Sequence, residues 1–146
     1  MTTFGRAVAG EPLAVPPIWM MRQAGRYQAS YQALRKRHSF EALCRTPELA
    51  AAVTLAPITE FDFDAAILFS DLLFPLEALG FGLSYDAGPP ELDGRLTPER
   101  VASFRTIDDA LPRLTFQRDA MAAARAVLPA DKALLGFVGG PWTLFV

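Results

Sequence analysis

Three short, unbroken apolar runs, residues 17–21, 65–69 and 133–138, do most to limit what this chain can fold into. None has helical spacing, and an apolar run of this length suits a strand buried on both faces. The stretches between them read as helix. Thr46-Pro47-Glu48 places a hydroxyl at the N-cap, proline at the first helical position and an acid in the first turn, opening a helix over 47–60. Thr97-Pro98-Glu99 repeats the signal for a shorter one. Residues 30–38 end in Arg35, Lys36, Arg37 and His38, which complement a helix dipole. Residues 111–127 carry Leu114, Met121 and Ala124 at helical spacing, with Leu128 next on that face and a further start at Thr106, Asp108 and Asp109. Residues 82–86 and Gly88-Pro89-Pro90 form a strand or hairpin excursion. Buried strands alternating with helices define an α/β protein with a parallel sheet. The final Trp142-Thr143-Leu144-Phe145-Val146 reads as the start of another helix, interrupted.

Composition narrows the partners. The formal net charge is −2, so no global positive field draws nucleic acid, and an acidic ligand needs a local cluster of cations. The most apolar stretch, 65–83, is broken by Asp71, Pro75 and Glu77, whereas a bilayer span needs about 20 nearly uncharged residues. Residues 1–17 lack the pattern of a signal peptide. The single cysteine, Cys44, reads as a buried thiol in a reducing cytosol, and no Cys/His grouping has metal-ligand spacing.

The cluster of cations is present. Arg22, Arg26, Arg35, Lys36, Arg37 and Arg45 stand against one acid, Glu41. A solvated basic face would look the same. Arg22 and Arg26 differ because they follow an expected strand directly, in a loop where Gly25 permits close backbone approach. Ligands of α/β sheets gather at the carboxyl ends of strands, and arginine suits bidentate carboxylate or phosphate binding. Asp71 also follows a strand, in apolar company. It reads either as a helix cap or as an acceptor for ligand N–H groups, since a buried carboxylate needs donors. His38 reads as a surface residue. Gly136, Gly139, Gly140 and Pro141 form a tight turn and not a nucleotide fingerprint.

Pro17-Ile18-Trp19-Met20-Met21-Arg22-Gln23-Ala24-Gly25-Arg26-Tyr27 resembles the N-terminal signature of uroporphyrinogen decarboxylases. Ile67-Leu68-Phe69-Ser70-Asp71, with Pro75, Glu77, Ala78, Leu79 and Gly80 after it, is similar to their second motif. Residues 136–144 are similar to a third, with Gly140 where alanine is common. The resemblance implies the N-terminal portion of a (β/α)8 TIM barrel, incomplete in this chain, with residues 1–146 belonging to one barrel domain. Such a barrel typically takes about 250 residues. It further implies a cytoplasmic, cofactor-independent carboxy-lyase, without metal or organic cofactor. The reaction removes the four acetate carboxylates of uroporphyrinogen III to give coproporphyrinogen III.

The resemblance also assigns roles. Arg22 and Arg26 bind substrate carboxylates, Gln23, Ala24 and Gly25 complete that loop, and Asp71 accepts the pyrrole N–H groups as the catalytic residue. Ile67 and Phe137 lie near the substrate. The full-length enzyme is expected to be a homodimer, with no nucleic-acid or membrane partner. A tyrosine, a serine or threonine and a histidine of the family site fall beyond residue 146, so the isolated chain is expected to be inactive. Two other readings are a truncated, non-enzymatic paralogue or fragment, and a corrinoid-dependent methyltransferase of the same superfamily.

Overall fold

The computed structural model describes residues 1–86 and 88–145. Helices α1 (Thr3–Val8), α2 (Ala29–Arg35), α3 (Phe40–Arg45) and α4 (Pro47–Phe61) precede strand β1 (Ala65–Ile67). Helix α5 (Phe74–Leu79) leads to a small hairpin, β2 (Leu83–Ser84) and β3 (Glu91–Leu92). Helices α6 (Pro98–Ala102) and α7 (Ile107–Ala110), a 3-10 turn (Leu111–Leu114) and helix α8 (Thr115–Val127) follow. Strand β4 (Ala133–Leu135) and helix α9 (Pro141–Phe145) complete the order.

Strands β1 and β4 pair in parallel, Ala65 against Ala133 and Ile67 against Leu135. Their entry is fixed by Lys132, whose Nζ donates to the Asp62 carbonyl at 3.2 Å and pairs with its carboxylate. One face of this pair is covered by α4 and α8. Ala50 and Ala51 of α4 meet Ala120 and Ala124 of α8, all nearly inaccessible, with Leu68 beneath. Small side chains let the two helices approach closely, and burial of their apolar area is the main stabilising term here. Ile58, Ala66 and Leu128 extend the layer, and Tyr31, Leu43 and Val53 pack α2 and α3 onto α4. Because side chains alternate along a strand, Ile67 and Leu135 point to the opposite face.

The expected helices over 47–60, after Thr97 and after Thr106 form, and the excursion is the antiparallel β2–β3 hairpin. The helix expected over 30–38 runs Ala29–Arg35 instead, and that expected over 111–127 begins with a 3-10 turn, where Pro112 supplies no amide donor. Thr97 and Thr106 cap their helices through their hydroxyls. Thr46 makes no such side-chain bond; it also ends α3, and its amide donates to the Ala42 carbonyl. Ala87 in the excursion and Val146 in the expected last helix lie outside the described residues.

Residues 17–21 form no strand, against expectation. The segment touches the sheet at one point: the Asp64 amide donates to the Ile18 carbonyl at 2.8 Å, and the Ile18 amide donates to the Asp64 carboxylate at 2.7 Å. Its side chains are exposed, Met21 at 79 %. A parallel strand needs a ladder along its length and cover on its faces, and the described residues supply neither to this segment.

Candidate active site

An open cavity of about 560 Å³ lies at the carboxyl ends of β1 and β4. Ile67, Leu72, Leu135 and Phe137 give it apolar walls, and Trp19, Met21 and Val138 extend them. Arg22, Gln23 and Ala24 close one side. The Arg22 guanidinium has no hydrogen-bond or ion-pair partner among the described residues, and the same holds for Arg26. Arg45, in contrast, is structural. It pairs with Glu41 and Glu77, and its guanidinium carbon lies 4.9 Å from the ring centres of both Phe74 and Phe116.

The loop bearing Arg22 and Arg26 is built by uncharged amides. Gln23 is only 3 % exposed, and its Nε2 donates to the Ala65 carbonyl at 2.9 Å while its Oε1 accepts the Met20 amide at 3.1 Å. Its side chain is thus committed to the protein. The Tyr27 hydroxyl donates to the Gln23 carbonyl, and Gln32 Nε2 donates to the Arg26 carbonyl at 2.7 Å. A Cβ at Gly25 would meet no protein atom within 4 Å, so the glycine borders open space and makes no close approach within the chain. Gly25 and Arg26 belong to the loop but do not line the cavity.

The exit from β1 is anchored from both covering helices. Thr54, buried in α4, accepts the Phe69 amide at 2.9 Å, and Gln117 of α8 donates to the Ser70 hydroxyl at 3.1 Å. Asp71 follows, half-buried, and its Oδ1 accepts the Leu73 amide at 2.8 Å in the turn that enters α5. Leu73, not Asp71, occupies the cap position of that helix. Asp71 adjoins the cavity in sequence without lining it, and its charge is felt on the side of α3 and the hairpin. Burial, and next the Asp71 carboxylate, push the Cys44 thiol up to about 12. The same two causes raise Tyr85, whose buried hydroxyl has no hydrogen-bond partner among the described residues.

Beyond β4, a Cβ at Gly139 would lie 2.6 Å from the Leu144 side chain of α9, which would have to shift to admit it. Ile67 and Phe137, expected near a ligand, both line the cavity. His38 is half-buried after α2, with its carbonyl accepting Arg35 at 2.8 Å. Gln28 and Glu60, which no sequence pattern marks, are joined by a 2.9 Å hydrogen bond, and Gln28 also accepts the Gly25 amide at 3.3 Å. Among the described residues no group of three His, Cys, Asp or Glu side chains is placed to hold a metal ion, and no helix is long and apolar enough to cross a membrane.

Comparison with known proteins places the chain in a family. A family model described as uroporphyrinogen decarboxylase (URO-D) matches residues 1–146. The chain is 48% identical over 141 residues to a uroporphyrinogen decarboxylase of Drosophila virilis, covering 95% of this chain and 36% of the relative. It is 47% identical over 148 residues to one of Anaeromyxobacter dehalogenans, covering 97% of this chain and 43% of the relative. A methyltransferase from Methanosarcina mazei superposes with a TM-score of 0.74 at 22% identity, covering 98% of this chain and 44% of that one, a likeness of fold alone. The architecture is therefore the N-terminal portion of a (β/α)8 barrel, and the chain spans well under half the length of these relatives. Matched by this family model over residues 1–146 and 48% identical to a member over 95% of its length, the chain belongs to the uroporphyrinogen decarboxylase family.

Proposed function

We propose that residues 1–146 form the N-terminal part of a single barrel domain in an enzyme that converts uroporphyrinogen III to coproporphyrinogen III, acting in the cytoplasm as a homodimer. The observation that carries the reading is an arginine without an ion-pair partner among the described residues, Arg22, on the edge of an apolar cavity at the carboxyl ends of two parallel strands. The substrate combines an apolar macrocycle with eight carboxylates. Ile67, Leu135 and Phe137 suit the ring, and Arg22 and Arg26 suit the carboxylates, Arg26 from the same loop four residues on.

Asp71 is the candidate catalytic residue. An ionised carboxylate has about four acceptor sites, and the Leu73 amide occupies one. The remaining sites can receive pyrrole N–H groups converging from the ring centre. In the reaction a proton is added to a pyrrole carbon, leaving positive charge on the ring. The acetate C–C bond then breaks, carbon dioxide leaves and the bonding pair neutralises the ring. A proton taken up at the exocyclic carbon completes the methyl group, and loss of the proton first added to the ring carbon restores the neutral pyrrole. The protonated pyrrole itself receives the bonding pair, so the step needs no added electron sink, and no electrons enter or leave.

The carboxylate of Asp71 stabilises the charge as it develops. General acid help alone supplies about 10² to 10⁴ in rate, while enzymatic accelerations require about 8–23 kcal/mol, so fixed electrostatics must provide most of the effect. Incubating the full-length protein with uroporphyrinogen III and resolving the products by carboxylate count tests the proposal. Stepwise loss to the four-carboxylate product is expected, and an active-site-competent, folded protein that leaves all eight carboxylates in place would refute it.

A further inference from the structure

Gln28 lies at the start of α2 and is 1 % exposed. A primary amide buried to that degree needs partners for its polar atoms. Its Oε1 accepts the Gly25 amide at 3.3 Å, and its Nε2 donates to Glu60 Oε2 at 2.9 Å. Gly25 lies in the loop between Arg22 and Arg26, immediately before Arg26. Glu60 sits in the last turn of α4, thirty-two positions away in sequence. It makes no ion pair among the described residues, and a carboxylate at that end of a helix faces the unfavourable pole of the dipole. Its bond to Gln28 is thus the interaction that gives an acid at this position a structural use.

We propose that Gln28 and Glu60 form a clamp that sets the position of the arginine loop against α4, and thereby the affinity for a carboxylate-rich substrate. The inference rests on reading that loop as the carboxylate site. Because the Arg22 and Arg26 guanidinium groups make no hydrogen bond or ion pair among the described residues, the backbone chiefly fixes where they are presented. Gln23 pins the loop to β1 at one side. The clamp pins Gly25 to the covering helix at the other. Neither Gln28 nor Glu60 lines the cavity, so both act as positioning residues. Contacts to carboxylates that do not react are made equally in the bound substrate and the transition state, so their loss belongs in KM and not in kcat.

The test uses the full-length protein with Gln28→Ala, Glu60→Ala and the double substitution. Each single change is expected to raise KM for uroporphyrinogen about tenfold, with kcat kept within about twofold. The double substitution is expected to be no worse than Gln28→Ala, because Glu60 acts through Gln28. Unchanged KM in Glu60→Ala, or effects that simply add, overturns the clamp. Glu60 is exposed, so this variant reads the proposal even where Gln28→Ala fails to fold. Hydrogen exchange of the Gly25 amide provides a readout without substrate, expected to be about tenfold faster in Glu60→Ala. Exchange at the parent rate overturns the inference even in a protein inactive on uroporphyrinogen. An active parent with flat KM and flat exchange overturns the clamp while leaving the proposed function standing.

Discussion

Asp71 Oδ1 accepts the Leu73 amide at 2.8 Å, so the carboxylate proposed to meet the substrate also holds the turn into α5. The two roles separate on substitution. Asparagine keeps an acceptor for the Leu73 amide and forms the same kind of turn. It lacks the charge and would turn N–H donors toward pyrrole donors. In the full-length enzyme, Asp71→Asn is expected to retain its melting temperature and lose most turnover, with Asp71→Glu intermediate. Thermal unfolding and product analysis on both variants check this. Near-normal turnover in Asp71→Asn would leave the residue a turn former only.

Arg22 and Arg37 provide a contrast at equal charge. Arg22 lines the cavity, whereas Arg37 is exposed and away from it. A hydrogen bond to a charged group is worth about 1.5–3 kcal/mol, so Arg22→Ala should lower kcat/KM by roughly 10- to 100-fold. Arg26→Ala should behave alike. Arg37→Ala should stay within the range of about 0–1 kcal/mol typical of exposed charges. Steady-state kinetics on the three variants, at matched ionic strength, decide the assignment.

Gln23 belongs to the stability of the loop. Gln23→Leu preserves bulk but leaves the Ala65 carbonyl and the Met20 amide without their side-chain partner. An unsatisfied buried group costs about 1–3 kcal/mol, and a loss of that size is expected in urea unfolding of the full-length protein. A variant as stable as its parent would show that solvent reaches both groups.

Stability should fall in alkaline solution. Burial raises the Cys44 thiol from 9.0 to about 12, and the thiol is 1 % exposed. The unfolded chain therefore releases this proton first as pH rises. Fewer protons bound in the unfolded state mean stability that declines with pH, by up to about 1.4 kcal/mol per unit for one proton. The contribution is intact below pH 9 and is lost progressively between 9 and 12. Tyr85, also raised, adds in the same direction at the upper end. Denaturant titrations of wild type and Cys44→Ala across this range are expected to diverge, and parallel curves would exclude the cysteine as the cause.

The isolated 146-residue chain should associate and show no turnover. Exposed Ile18, Met20, Met21 and Val138 lie beside the open cavity and the outer edges of a two-stranded sheet. Apolar patches and unpaired edges of this kind promote self-association. Light scattering after size exclusion is expected to show species larger than 15.9 kDa, and a catalytically active monomer would contradict this.

Elements announced by a threonine cap with acids in the first turn were legible in the sequence, including the short α6 and α7. The helix α4 is announced by Thr46-Pro47-Glu48, and the β1 and β4 runs are visible as apolar blocks, although pairing covers only Ala65–Ile67 and Ala133–Leu135. Helices α1, α3 and α5 have six residues each, too few for periodicity to emerge. Their caps were the available signal: Thr2 and Ser39 accept backbone amides, and Gly80 ends α5 at φ +129°. The run 17–21 misled because apolar composition cannot say whether a neighbour exists to cover it. Within the site, Arg22 and Arg26 stand out by local pattern. Gln28 and Glu60 do not, since a contact across a long sequence gap leaves no mark on either neighbourhood.

Thr46 terminates α3 and opens α4 with no residue between them. An elbow of this kind has no slack to absorb an extra residue. One inserted amino acid would turn α3 by about 100° relative to α4, at 3.6 residues per turn. That rotation would swing Arg45 away from Phe74 and Phe116 and carry Cys44 out of the core. Length drift in descendants of this chain should therefore accumulate in the β2–β3 hairpin and spare the junction at Thr46.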